Sequence, residues 1–313
     1  MRIDAWRLGI ATIVGLAAFS LWWISVVKIA PATIERRTGP IGLPHGIYNQ
    51  QLWWIPAHSR GEASLRLLET IVYRPAGVGP FALVVIYHGK PARNFQAVRP
   101  GFETAAQWFV DHGFAVAVPL RQGYGRSQGT ANDMVGSCET MDYLATARAA
   151  ARDAESVISF MQQQSFIDPR SVIIVGHSHG GFGALGVASD APNGVVGIIN
   201  FAGGTGSWKH EHFCNGRDKL IAALSRLGAE NKLPQVWLYA LDDETFGPPL
   251  AREMWSAYST NSRAEILFVA LPETGQGHML FPNGNTSVWG STIQQFLVPL
   301  DLRAEPPVAR RAD

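Results

Sequence analysis

Apolar and polar positions along the chain predict a repeated order of strands and helices. Short apolar runs rich in β-branched residues, such as Phe81–Tyr87 and Val195–Phe201, are typical of buried strands. Longer segments between them, such as Tyr143–Gln163, place apolar residues at helical spacing. Because the strands are apolar throughout and alternate with helices, the pattern predicts a parallel sheet covered by helices on both faces.

The pattern assigns an element to most of the chain after residue 50. The predicted strands are Leu52–Ile55, Leu65–Tyr73, Phe81–Tyr87, Phe114–Pro119, Val172–Val175, Val195–Phe201, Gln235–Leu241 and Ala264–Leu271. The predicted helices are Glu103–Asp111, Tyr143–Gln163, the glycine-rich segment that follows Val175, Asp218–Leu227, Leu250–Tyr258 and Val288–Phe296. In open sheets of this kind, ligands bind beyond the carboxyl ends of the strands. Candidate chemistry is therefore expected in the residues just after each strand.

The N-terminal segment differs from the rest of the chain. Arg2 and Arg7 precede an uncharged run, Leu8–Val27, which as a helix rising about 1.5 Å per residue would cross a bilayer core of about 30 Å. We expect an uncleaved membrane anchor. Two alternatives remain. Ala30–Ala32 resembles a cleavage site, which fits a cleaved signal. The run also fits an apolar helix outside any membrane. We expect the rest of the chain to lie outside the cytoplasm. It is anchored to the membrane if the segment is retained, and periplasmic or secreted if the segment is cleaved.

The predicted organisation has four parts. Residues 1–30 form the anchor or signal, and residues 31–50, rich in proline and glycine, form a linker. Residues 51–301 form one α/β domain, and residues 302–313 form a flexible tail.

Since 47% of the residues are hydrophobic and 16% are charged, the chain can bury a large core. Its formal net charge of +1 argues against a nucleic-acid partner.

The two cysteines, Cys138 and Cys214, lie far apart in sequence and both follow the N-terminal segment. An even number of cysteines is typical of a disulfide in an oxidising compartment, although two free thiols in a cytoplasmic protein fit the count equally well. The export-like N-terminus favours the disulfide.

One stretch, Ser171–Gly186, combines a strand, a tight turn and a helix pattern. At the turn stands Gly176-His177-Ser178-His179-Gly180, which matches the G-x-S-x-G nucleophile elbow. In such an elbow the serine has a strained backbone, and side chains in place of the glycines would collide with the neighbouring strand or helix. The alternative is an ordinary glycine-rich turn after a buried strand.

Later strand ends supply the partners that a nucleophilic serine needs. Asp242-Asp243-Glu244 follow the strand Gln235–Leu241, and His278 lies in a glycine-flanked loop after the last strand. A serine hydroxyl needs an imidazole to take its proton, and that imidazole needs a carboxylate to fix its tautomer. The order serine, acid, histidine is the chain order of α/β-hydrolases. The sequence therefore predicts Ser178 as nucleophile and His278 as base.

With these motifs the chain resembles the α/β-hydrolase superfamily, and within it the dienelactone-hydrolase-like and prolyl-oligopeptidase-like serine esterases. The resemblance implies an eight-stranded, mostly parallel sheet with antiparallel first strands. True dienelactone hydrolases carry a nucleophilic cysteine, whereas this elbow has Ser178. The matching segments are PFALVVIYHGKP at Pro80–Pro91, RQGYGRSQG at Arg121–Gly129, IDPRSVIIVGHSHGG at Ile167–Gly181, LYALDDETFGPP at Leu238–Pro249 and GQGHMLF at Gly275–Phe281.

The resemblance also implies roles for individual residues. Among the three acids, Asp243 occupies the position of the catalytic aspartate in related sequences, with Asp242 and then Glu244 as alternatives. An oxyanion hole needs two backbone N–H groups. One would come from His179, at the start of the helix after the nucleophile.

The second N–H group would come from the turn after strand Phe81–Tyr87, by resemblance to H-G motifs. Lys90 is favoured, then Gly89. His88 in the same turn is interpreted as a hydrogen-bonded residue that stabilises the loop.

A metal site is the less favoured alternative. His210, His212 and Cys214 alternate with other residues, and His177 and His179 flank the serine, which together suggest zinc ligands. No matching ligand pair stands out elsewhere, so we interpret residues 210–214 as a polar loop over the site. We expect no cofactor and no metal.

These observations predict a serine hydrolase for small or medium carboxylic esters, because the chain has no room for a separate lid domain. The alternatives are a peptidase or amidase with the same triad, and a non-catalytic binding member of the fold. The expected partners are a small ester and, through the N-terminal segment, a membrane. The candidate pocket walls, each of which could instead be core, are Tyr124, Trp208, Met279 and Phe281.

Overall fold

The computed structural model describes residues 37–58, 65–91, 94–131, 134–209 and 212–302. The predicted anchor or signal at residues 1–30, and the tail from residue 303, lie outside this part of the chain. Within the described residues, no helix has the length and apolar character needed to cross a membrane. The anchor, the signal and the localisation therefore stay predictions.

The core of the fold is a nine-stranded mixed sheet. Its strands are β1 (Gly39–His45), β2 (Gln50–His58), β3 (Leu65–Tyr73), β4 (Phe81–Tyr87), β5 (Ala115–Pro119), β6 (Ile167–His177), β7 (Val195–Phe201), β10 (Gln235–Ala240) and β11 (Ile266–Leu271), with the two-stranded hairpin β8 (Ser207–Lys209) and β9 (His212–Phe213) outside it. The spatial order is β1-β2-β3-β5-β4-β6-β7-β10-β11. In this spatial order, the neighbouring pairs from β1 to β5 are antiparallel. The neighbouring pairs from β5 to β11 are all parallel. The predicted mostly parallel sheet with antiparallel first strands is confirmed.

The sheet has one strand more than the eight expected, because β1 lies inside the predicted linker 31–50. Gly39 pairs with Trp54 and Pro40 pairs with Trp53 at the outer edge of the sheet. A proline cannot donate a ladder hydrogen bond, but an edge strand tolerates it. The prolines and glycines that suggested a linker thus belong to a strand with only one neighbour.

The α-helices lie on both faces of the sheet, as predicted. One face carries α1 and α6, whose Phe109 and Trp289 pack on strand residues such as Val84. The other face carries α2 and α3, whose residues pack on the alternate strand positions such as Leu83, and α4 and α5, which pack against each other. The helices are α1 (Glu103–Asp111), α2 (Tyr143–Met161), α3 (His179–Asp190), α4 (Arg217–Glu230), α5 (Pro248–Ser259) and α6 (Thr286–Leu297).

The small residues of α3 bring it close to another helix as well as to the sheet. A Cβ atom on Gly186 would lie 2.4 Å from the carbonyl oxygen of Ala147, and one on Gly183 would lie 2.9 Å from the Cβ of Ala150. Both neighbours belong to α2. These two glycines therefore serve helix packing.

Because the parallel strands all point the same way, the segments that follow them meet at one edge of the sheet. These segments are the turn after β4, the elbow after β6, the loop after β7, the acidic loop after β10 and the histidine loop after β11. All the predicted catalytic residues lie on them.

Candidate active site

The elbow places Ser178 between β6 and α3 in a strained backbone conformation, with φ 55° and ψ −124°. Its N–H donates to the carbonyl of Phe201 (3.0 Å), and its carbonyl accepts the N–H of Gly204 (3.1 Å). A Cβ atom on Gly180 would lie 2.3 Å from the carbonyl oxygen of Tyr87, so only glycine fits there. The neighbouring strands thus hold a conformation that non-glycine residues normally avoid.

Asp243 and His278 come together through a direct hydrogen bond. His278 Nδ1 lies 2.9 Å from Asp243 Oδ2, and the other carboxylate oxygen accepts the N–H groups of Thr245 (2.7 Å) and Phe246 (2.9 Å). Burial raises the pKa of Asp243, but His278 and the two N–H groups lower it by more, so the pKa lies below its usual value. The ionised carboxylate then fixes the proton on Nδ1, which leaves Nε2 of His278 to accept a proton.

Asp242, the alternative acid, has a different set of partners. Its Oδ2 lies within hydrogen-bond distance of the N–H groups of Thr274 (3.1 Å), Gly275 (2.7 Å) and Gly277 (3.3 Å). It therefore anchors the backbone of the loop that carries the histidine. Glu244 is exposed at the rim of the same site.

His177, before the nucleophile, contacts the same loop from the other side. Its Nε2 donates to the carbonyl of His278 (2.8 Å), and the two imidazole rings lie 4.9 Å apart between centroids. Burial, with the charge of His278, lowers the pKa of His177 to about 3, so the ring is neutral at ordinary pH. His177 thus links the elbow to the histidine loop.

The turn after β4 is held by a buried arginine. Nη1 of Arg121 donates to the carbonyl of His88 (2.6 Å), and Nη2 lies 3.5 Å from the carbonyl oxygen of Gly89. The backbone N–H of Arg121 donates to Nε2 of His88 (3.1 Å), so the proton of that imidazole is on Nδ1, which lies 2.7 Å from the carbonyl oxygen of Gly89. His88 therefore stabilises this loop.

This anchoring orients the next peptide group. In a trans peptide the N–H points away from the preceding carbonyl, so the N–H of Lys90 faces away from Arg121 and His88. The turn lies against the nucleophile, because a Cβ atom on Gly89 would be 3.0 Å from the Cβ of Ser178. Lys90 lines the same cavity as Ser178.

His179 is the first residue of α3, where a backbone N–H has no acceptor within its own helix. Nδ1 of its buried side chain lies 2.8 Å from Oγ1 of Thr205. The two imidazoles that flank the serine each bond a group other than the nucleophile.

A cavity of about 670 Å³ opens over the elbow. Two of the four predicted wall residues are core instead: Tyr124 is buried against His88 and Phe95, and Phe281 stacks on Phe201. Met279 is exposed and does not line this cavity, and the side chain of Trp208 lies outside the described part. The lining residues are Lys90, Pro91, Met134, Cys138, Met141, Ser178, His179, Gly204, Thr205, Gly206, Ser207, Cys214, Glu244, Thr245, Phe246 and His278.

The two cysteines form the predicted disulfide, which closes one side of this cavity. Cys214 is thereby unavailable as a metal ligand, and His210 and Glu211 lie outside the described residues. Among the residues that the structure does describe, no cluster of three His, Cys, Asp or Glu side chains could hold a metal ion.

Several residues of the site were not singled out from the sequence. Arg121 stands directly after β5 within the quoted RQGYG motif, so its place at a strand end was the available signal. Thr205 and the pair Met134 and Met141 lie in loops without any motif. These three residues line the cavity only because segments that are distant in sequence meet there.

Comparison with known proteins gives a family and a fold. The family model described as "Serine aminopeptidase, S33" (Hydrolase_4) matches residues 79–255, more than half of the chain. No curated protein sequence matches the chain significantly.

Three solved structures illustrate the similarity in fold. An acetyl xylan esterase from Paenibacillus sp. R4 has a TM-score of 0.58 at 14% identity, covering 84% of this chain and 88% of that one. Est1E from Butyrivibrio proteoclasticus, with bound ferulic acid, has a TM-score of 0.55 at 13% identity, covering 80% and 100%. A structure from Klebsiella pneumoniae named as a dienelactone hydrolase has a TM-score of 0.52 at 14% identity, covering 80% and 98%.

At sequence identities of 13–14%, the structural similarity establishes the fold alone. The matched family model adds that the protein is a hydrolase. The expected resemblance to α/β-hydrolases is confirmed by both. The chain belongs to the Hydrolase_4 family of α/β-hydrolases and is a hydrolase of that superfamily.

Proposed function

We propose that the protein is a serine hydrolase that cleaves small or medium carboxylic esters with Ser178, His278 and Asp243. The observation that carries the proposal is the hydrogen bond from the buried Asp243 to His278, which lines a cavity together with Ser178 on its strained elbow. These are the three group types that acyl transfer by a serine requires.

In the first half of the reaction, Oγ of Ser178 attacks the ester carbonyl while Nε2 of His278 takes the hydroxyl proton. The carbonyl oxygen becomes an oxyanion, which the N–H groups of His179 and Lys90 would stabilise. The tetrahedral intermediate collapses, the bond from the carbonyl carbon to the alcohol oxygen breaks, and His278 gives its proton to the leaving alkoxide. The products are an alcohol and an acyl-enzyme.

In the second half, His278 takes a proton from a water molecule, whose oxygen attacks the acyl-enzyme carbonyl. Breakdown of this second intermediate releases the carboxylic acid, and His278 returns the proton to Oγ of Ser178. Asp243 remains ionised throughout and stabilises the positive imidazolium through its hydrogen bond to Nδ1. The low pKa of Asp243 supports that role.

Support for an ester as substrate comes from the proteins of similar fold, which are named as an acetyl xylan esterase and as a protein with bound ferulic acid. Those names describe those proteins. For this chain, the cavity of about 670 Å³ lies in the range of small-ligand sites, roughly 300–1,000 Å³, which supports an ester of small or medium size.

The proposal is tested by the rate of p-nitrophenyl acetate hydrolysis in purified wild type and Ser178→Ala. The variant should lose at least about 10⁴-fold in kcat/KM, because only the nucleophile is removed. Ser189→Ala, on the same helix, serves as the control and should retain full activity. Equal rates in wild type and Ser178→Ala, or no labelling of wild type by a fluorophosphonate, would favour a non-catalytic binding protein.

A second candidate is an aminopeptidase with the same triad. The matched family carries that description, and the carboxylate of Glu244 lies at the cavity rim, where a substrate ammonium group would bind. Aminoacyl p-nitroanilides separate the two functions. We expect turnover of these amides at least about 100-fold below that of esters, and a Glu244-dependent preference for amides would reverse the assignment.

We also infer that the hydrolase domain works outside the cytoplasm. The disulfide between Cys138 and Cys214 supports an oxidising compartment, and the apolar run Leu8–Val27 supports export. Cell fractionation with protease protection tests this inference. A protein found in the cytoplasm with both thiols reduced would contradict it.

A further inference from the structure

One side of the cavity is built from sulfur-containing side chains, namely Met134, Met141 and the Cys138–Cys214 disulfide. We refer to these four residues as the sulfur wall. We propose that the sulfur wall selects the substrate, by binding an uncharged apolar or aromatic group of the ester, and that the disulfide sets the width of that subsite. This inference rests on the proposed esterase function.

The sulfur wall belongs to two segments that are distant in sequence. Met134, Cys138 and Met141 precede α2, whereas Cys214 follows the hairpin after β7. The disulfide joins these segments across 76 residues. Both face the cavity that Ser178 and His278 line, so a substrate bound to the serine extends towards this wall.

The two segments are also tied by packing and hydrogen bonds, since Met141, Tyr143 and Cys214 belong to one hydrophobic cluster. The side-chain amide of Asn215 donates to the carbonyl of Met141 (3.0 Å), and the hydroxyl of Tyr143 donates to the carbonyl of Cys214. Both bonds lie beside the disulfide. The covalent bridge joins the segments at the cavity itself, and we expect it to contribute to the width of the cavity at this side.

The chemistry of the wall fits an apolar group. Thioether and disulfide sulfur atoms are polarisable and uncharged, and methionine makes favourable contacts with aromatic rings. Phe246 adds an aromatic ring to the same cavity. The charged lining residues, Lys90 and Glu244, are exposed and would remain hydrated at the rim. An ester with a charged group at the wall would lose hydration without gaining a partner.

The first experiment changes the wall one methionine at a time and measures kcat/KM for p-nitrophenyl acetate, butyrate, octanoate and benzoate. Met141→Ala and Met134→Ala should raise the ratio of octanoate or benzoate to acetate at least fivefold, because the subsite becomes wider. Met141→Trp should lower that ratio. Each ratio is formed within one variant, so a change that slows every ester equally cancels from it.

The matched control is Met254→Ala, since Met254 is a buried methionine of the same hydrophobic cluster as Met141 but does not line the cavity. It should leave the ratio unchanged. Acetate esters of methanol, butanol and benzyl alcohol repeat the test for the alcohol side. A shift of at least fivefold in either series supports the proposal.

The second experiment removes the bridge with the double variant Cys138→Ala, Cys214→Ala, assayed at low temperature after circular dichroism shows that it is folded. We expect the differences in kcat/KM among the four p-nitrophenyl esters to shrink at least fivefold, while acetate is still hydrolysed. If the variant does not fold, wild type reduced with dithiothreitol provides the same comparison, and the methionine variants test the wall independently.

The outcomes separate the two levels of inference. If wild type shows no Ser178-dependent ester turnover, the proposed function fails. If wild type hydrolyses esters but the methionine and cysteine variants change every ester by the same factor, as Met254→Ala would, the sulfur wall does not select the substrate and the inference is overturned.

Discussion

The two sides of the cavity are constructed by different means. On the catalytic side, Ser178, Asp243 and His278 each follow a strand of the central sheet, and hydrogen bonds of 2.7–3.1 Å fix their positions. On the sulfur wall, the side chains lie on connecting segments outside the sheet, which the disulfide and two hydrogen bonds join. Bond making requires fixed angles, whereas recognition of an apolar group tolerates adaptable side chains. We therefore expect changes on the catalytic side to slow all esters equally and changes on the sulfur wall to alter the choice among esters.

The largest expected effect tests the catalytic side. Asp243→Asn should lower kcat by about 10⁴-fold, since the amide no longer fixes the correct tautomer of His278. The loss should be the same for acetate and octanoate, measured as initial rates over an ester series.

Asp242→Asn is the matched control for this prediction. It leaves the Asp243–His278 pair intact and weakens only the anchoring of the histidine loop, so a loss of about tenfold is expected. A larger loss for Asp242→Asn than for Asp243→Asn would reassign the catalytic acid.

The next effect concerns stability on the sulfur wall. The bridge closes a loop of 76 residues, so its removal should lower the free energy of unfolding by about 2–5 kcal/mol. Urea unfolding of the Cys138→Ala, Cys214→Ala variant measures this difference. A midpoint equal to that of wild type would mean that the two segments are held together without the bridge.

A smaller effect is expected from the residue that positions the oxyanion turn. Arg121→Lys keeps the charge but loses the planar fork that reaches the carbonyls of His88 and Gly89. The value of kcat should fall about tenfold to a hundredfold for every ester, with KM nearly unchanged, because in the proposed mechanism the turn stabilises the oxyanion of the transition state.

Arg126→Lys is the control, since Arg126 lies in the same loop as Arg121 and its guanidinium pairs with Glu69 of β3. If both arginine variants lose activity to the same extent, the effect reflects loop stability rather than the oxyanion hole.

The last effect is a pH dependence of stability that arises at His177. Its pKa falls from 6.5 to about 3 on folding, so between these values the unfolded chain binds a proton that the folded protein excludes. Stability should therefore decrease as the pH falls below 6.5, with this residue contributing at most about 1.4 kcal/mol per pH unit.

His177→Gln should reduce that slope while keeping an N–H group for the carbonyl of His278. Urea unfolding at several pH values between 4 and 7 gives both slopes. Identical slopes for wild type and variant would show that His177 titrates equally in both states. His177→Leu, which loses the donor, should also lower kcat about tenfold.

The sequence predicted the parts of the molecule that local patterns encode. Apolar runs identified eight of the nine sheet strands, and the strand ends led to the hydrogen-bonded pair Asp243 and His278 and to a cavity that Ser178 and His278 line. The strand at residues 39–45 was missed, because prolines at a sheet edge resemble a linker.

Other features depend on contacts that no local pattern records. Tyr124 and Phe281 were candidate cavity walls, but an aromatic side chain after a strand can turn either to the cavity or to the core, and both are in the core. The roles inferred for Arg121 and His177 arise from hydrogen bonds across 32–33 and 101 residues. The methionines of the sulfur wall became part of the site only through the folding of two distant segments.

The disulfide has a topological consequence. The chain between Cys138 and Cys214 contains β6, the elbow, α3 and β7, so the bridge encloses Ser178 in a covalent ring. A protease that cuts once within this ring, for example after the exposed Arg170, would leave both fragments joined. The nicked molecule would migrate as one piece on a non-reducing gel and as two pieces after reduction. The nucleophile would thus remain attached to the rest of the site after a cut that would otherwise divide the molecule.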